Sequence, residues 1–60
     1  MTDLDILLFW LTKANAVYTK SITAYDGAPF VAIWLSNETD ESLTFYFNKD
    51  GTFQDIEHIE

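Results

Sequence analysis

Glu38, Asp40 and Glu41 form one carboxylate cluster, Asp55, Glu57 and Glu60 form a second, and Asp50 lies between them. Groups of this kind can hold a hard cation, move protons in catalysis, or pair with the Arg and Lys side chains of a basic partner. Spacing separates the three. Asn48, Asp50, Gly51 and Glu57 match four positions of a helix–loop–helix calcium site, but its first ligand position falls on Tyr46, and the residues before it alternate as a strand. A hairpin turn is the expectation there, and no metal. His58 beside Glu57 has the residue types of an acid–base pair, yet a histidine near a charged terminus lacks the sheltered cleft and oriented partner that proton transfer needs. No nucleophile elbow, phosphate loop or zinc-protease motif occurs, and two glycines leave little backbone to cradle a phosphate. The chain is therefore expected to be no enzyme and to use no cofactor.

What remains for the carboxylates is solubility or recognition. Ten Asp and Glu against three Lys, with no Arg, give a net charge of −7, which opposes direct binding to nucleic-acid phosphates and favours a protein partner with a basic surface. The charge is uneven: residues 1–36 carry three acids and two lysines, residues 37–60 seven acids and one lysine. The sharper expectation is a nucleic-acid mimic, whose carboxylates take the place of phosphates in a basic groove and steer association.

Elements must position these groups, and 60 residues allow only one domain. An apolar share of 48%, including 17% aromatic residues, is enough to fill a small core. Without cysteine, and with a single histidine, neither disulfides nor a Cys/His zinc site can staple the fold, so packing or partners must. The apolar run Ile6–Leu11 is short and follows two aspartates; it is expected to be neither a signal peptide nor a membrane span, and a cytoplasmic location is the default.

Thr2 followed three residues later by Asp5 predicts a cap, and a helix over roughly residues 3–14 follows, with Leu4, Leu7, Leu8, Leu11 and Ala14 on one stripe. Lys13 and Asn15 are its stop signals. Beyond it, β-branched and aromatic residues predict strands in Val17–Tyr25, Phe30–Ser36 and Leu43–Asn48, and a less regular one from Thr52. Tyr25–Pro29 and Asn48–Gly51 read as turns. Phe30–Leu35 is apolar on both parities and should be central. Leu43, Phe45 and Phe47 should face a core while Thr44, Tyr46 and Asn48 stay partly wet. In the last segment Phe53 and Ile56 share a face only if the strand is bulged; otherwise Phe53, Ile56 and Ile59 align on a helical turn. The expected fold is α+β: one N-terminal helix on an antiparallel meander of three to four strands.

One helix cannot cover both faces of such a sheet. Phe9 projects away from the main stripe, Ile6 and Trp10 flank it, and Tyr46 lies on the second sheet face, so these residues are expected to be exposed and to contact a partner or a second copy. Two function classes follow. The first is a small acidic protein-binding regulator or inhibitor, of phage or mobile-element origin, which blocks a basic nucleic-acid-binding surface. The second is an assembly subunit that forms a homo-oligomer through its aromatic surface.

Overall fold

The computed structural model describes residues 1–35 and 41–59. Among them are a helix α1 (Asp3–Lys13) and strands β1 (Tyr18–Ile22), β2 (Pro29–Trp34), β3 (Ser42–Phe47) and β4 (Phe53–Ile59). The strands pair antiparallel in the order β1-β2-β3-β4, the expected α+β meander. The molecule measures 34 × 27 × 15 Å, and the short axis has room for one helix layer on one sheet layer.

Both ends of α1 are closed by local chemistry. Thr2 Oγ1 accepts from the Asp5 backbone N–H, and Asp5 Oδ2 accepts from the Thr2 N–H, both at 3.2 Å, which completes the capping box. At the other end Asn15 takes φ 59°, while Ala16 N–H donates to Leu11 and Asn15 N–H to Thr12, the paired bonds that end a helix on a left-handed residue. Ala14 is this helix's C-cap and is exposed, so the apolar stripe stops at Leu11 rather than reaching residue 14.

The helix is tied to the β3–β4 turn. Leu4 N–H donates to Gly51 O at 3.0 Å, and Phe53 N–H donates to Asp3 Oδ2 at 2.8 Å. Gly51 has φ +90°, and a Cβ there would sit 2.7 Å from Thr2, so only glycine lets the turn and the cap approach this closely. Under the helix, Leu4 and Leu11 meet Val31 and Phe47, with Leu7, Leu8, Tyr18, Ile33 and Phe45 packed around them. Each fully buried apolar side chain of this kind contributes about 1.5–3 kcal/mol.

β4 is a strand and not a helical turn. Its pairing slips between Tyr46↔Asp55 and Phe47↔Phe53, leaving Gln54 as the extra residue of a bulge. That slip places Phe53 and Ile56 on the same face and resolves their conflicting parity.

Candidate functional site

Strand alternation divides the sheet into two surfaces. Tyr18, Val31, Ile33, Phe45 and Phe47 face α1. The opposite parity forms cross-strand rows on a face that no described element covers. Ser21, Phe30, Tyr46 and Asp55 lie in the first row, Thr19, Ala32, Thr44 and Glu57 in the second, and Trp34, Ser42 and Ile59 in the third.

This open face is not the wet surface that alternation predicts. Ser42 and Thr44 are only 4% and 5% exposed. Thr44 lies between the row of Phe30 and Tyr46 and the row of Trp34 and Ile59, Ser42 lies between Trp34 and Ile59 within its own row, and the Phe30 and Tyr46 rings stand 6.3 Å apart across the strands. Trp34 and Ile59 remain exposed. Tyr46 OH donates to Glu57 Oε1 at 3.2 Å. Desolvation, with the Glu57 hydrogen bond and the charges of Glu57 and Asp55 adding to it, holds the Tyr46 phenol above its ordinary value of 10.0.

The other surface surrounds the helix. Ile6, Phe9 and Trp10 are exposed there as expected, and Trp10 is 63% accessible. Phe9 and Trp10 stack edge to face at 5.3 Å, and Lys13 Nζ lies 5.6 Å from the Phe9 ring centre. α1 leaves the β4 side of the sheet uncovered, opening a groove of about 290 Å³ walled by Ile6, Trp10, Phe45, Phe47 and Phe53. Ile6, Phe9 and Trp10 thus lie on the helix side and Tyr46 on the open sheet face. The strand positions of Phe30 and Trp34 pointed to the second face, whereas the place of Phe53 in the groove wall was hidden by the bulge.

The acidic set is divided as well. Glu38, Asp40 and Glu60 lie outside the described residues. Glu41 pairs with His58, Oε2 to Nε2 at 2.8 Å. Asp50 accepts from the Thr52 hydroxyl at 2.6 Å and from the Thr52 N–H at 3.0 Å, and these bonds hold its carboxyl below the ordinary value, so it serves the turn. Among the described acidic residues, Asp55 and Glu57 lie on the open-face parity, next to its aromatic residues. None of the three lysines is there: Lys13 ends the helix, Lys20 lies opposite Val31 on the helix-facing parity, and Lys49 is in the β3–β4 turn.

The β4 edge itself is blunted. It carries the bulge, and Asp55 Oδ1 accepts from the Ile56 N–H at 2.8 Å, occupying a backbone donor that an added strand would need. Among the described residues no group of three His, Asp or Glu is arranged to hold a metal, and no helix is long and apolar enough to cross a membrane. Compared with protein-family models, curated proteins and solved structures, the chain matches none.

Proposed function

We propose that this protein is a small acidic binding regulator that covers a basic, nucleic-acid-binding surface of another protein with its open sheet face. The observation that carries this reading is the composition of that face: Phe30, Trp34 and Tyr46 side by side with Asp55 and Glu57, and no cation of the chain among them. Aromatic side chains supply desolvated anchor area, and carboxylates beside them select Arg and Lys. Two copies stacked on this face would bring four carboxylates together without a counter-charge, which costs several kcal/mol in like-charge contacts. A basic partner removes that cost. Occlusion of a phosphate-binding groove makes the chain an inhibitor, a role suited to a short effector encoded by a phage or other mobile element.

The groove beside α1 favours a second reading. Its lining is apolar apart from Asp3, whose carboxylate accepts from Phe53 N–H, so a second copy seated there would bury mostly apolar area. On that reading the protein is an assembly subunit.

One experiment separates the two. Proteins captured from the source cell by the wild-type chain are compared with those captured by the double variant Asp55→Asn, Glu57→Gln and by Trp10→Glu. The regulator reading expects a basic protein that the double variant loses, Trp10→Glu keeps, and whose bound DNA or RNA the wild-type chain displaces. Capture that survives the double variant and fails with Trp10→Glu would reject it.

A further inference from the structure

The two edges of the sheet differ. β4 is bulged and has a backbone donor taken by Asp55, whereas β1 pairs with β2 in one continuous register, holds no proline, and is exposed over residues 19–22. The phase of the ladder tells which groups β1 leaves unused. Trp34 N–H donates to Val17 O and Thr23 N–H to Ala28 O, so the odd-numbered residues of this segment turn their backbone toward β2. In an antiparallel pair the alternate residues turn theirs away. Tyr18, Lys20 and Ile22 therefore line the outer edge with their N–H and C=O groups, and no described strand lies beyond them.

We propose that β1 of a second copy pairs antiparallel with this edge across a two-fold axis, joining two four-stranded sheets into one of eight strands. A second copy brings an edge with the same unused groups, so one pairing closes both. Charge favours this occupant. Lys20 is the only charged residue of β1 and would oppose a basic segment; it lies on the helix-facing parity, and after the Thr2 hydrogen bonds its charge helps to lower the Asp5 carboxyl. The acids Asp55 and Glu57 sit on β4, at the far edge. With strands about 4.7–4.9 Å apart, the β4 strands of the two copies stand about 33–34 Å apart, several times the screening length of about 8 Å at physiological ionic strength. Two chains of net charge −7 thus meet where these acids are farthest apart. Like charges directly opposite are unfavourable, which moves the axis off Lys20 to Thr19 or Ser21. An axis perpendicular to the sheet turns both open faces the same way and leaves them free.

The test is amide hydrogen exchange on the isotope-labelled full chain, with mass followed by sedimentation, from micromolar to millimolar concentration. The mass should double, and exchange at Tyr18, Lys20 and Ile22 should slow about tenfold or more as it does, while Thr19 and Ser21, already turned to β2, change little. Lys20→Pro deletes a donor of the outer edge and none of the β1–β2 ladder, so it should give a monomer that is folded by circular dichroism. Should that variant not fold, crosslinking decides: the chain has no cysteine, and oxidised Thr19→Cys or Ser21→Cys should form a covalent dimer that Gln54→Cys on β4 does not. A chain that stays monomeric, or one that doubles while the three amides exchange as before, would overturn the edge assignment. Capture of a basic partner through the open face is scored separately, and its loss would overturn the regulator reading alone.

Discussion

The two sides of the sheet are built from similar residues and differ in what lies over them. Under α1, Val31 and Phe47 are sealed by Leu4 and Leu11, and the hydrophobic area is spent on holding the chain together. On the far side half-buried Phe30 and Tyr46 and exposed Trp34 have no cover among the described elements and lie beside Asp55 and Glu57. A domain of this size needs the first surface to fold at all. On the proposed reading the second serves a partner, and its charge tells against burial within the same molecule.

The contrast can be broken most severely at Phe47. Phe47→Ala should cost about 3–5 kcal/mol, comparable to the whole stability of a chain this short, and leave it largely unfolded by circular dichroism. Trp34→Ala on the open face should leave the same spectrum folded, with a stability change of less than about 1 kcal/mol. If both unfold alike, the open face is structural. Gly51→Ala comes next. It forces a side chain into φ +90° and against Thr2, and should lower the stability measured in urea by about 1–3 kcal/mol without touching the open face.

Smaller effects distinguish the faces by pH. Hydrogen bonds from the Thr2 backbone N–H and side chain lower the Asp5 carboxyl, those from the Thr52 hydroxyl and N–H lower Asp50, and those from the Thr23 hydroxyl and the Ala28 N–H lower Asp26. A lowered folded-state value means that the unfolded chain takes up protons first. The stability from these aspartates is therefore present above pH 4 or so and lost as the pH falls through their folded values. Tyr46 acts with the opposite sign. Its phenol is raised, so the unfolded chain ionises first and stability declines as pH climbs past 10. Thermal melts of Tyr46→Phe should show a weaker alkaline decline and an unchanged acid limb. An unchanged alkaline limb would separate Tyr46 from that decline.

The fold was legible where one residue has one local role. Thr2 and Asp5 announce the cap, Asn15 the stop, and the two apolar parities of Phe30–Leu35 the inner strand. Ser42 and Thr44 were not legible, because polar residues on a face that no described element covers should be wet, and their burial depends on neighbours that pairing brings beside them. The bulge at Gln54 was legible only as a conflict between Phe53 and Ile56; which of two solutions the chain takes depends on pairing with β3. The site was read in its ingredients but not in its grouping. Asp55 and Glu57 read as part of a terminal acidic cluster, and only cross-strand register puts them beside Phe30, Trp34 and Tyr46.

The two tryptophans make the central claim directly measurable, since Trp10 reports on the helix side and Trp34 on the open face. In the single-tryptophan variants Trp10→Phe and Trp34→Phe, acrylamide quenching is read with and without the basic partner bound. Binding should shield Trp34 several-fold and leave Trp10 as accessible as in the free chain. Shielding of Trp10 with Trp34 still fully quenched would contradict the account.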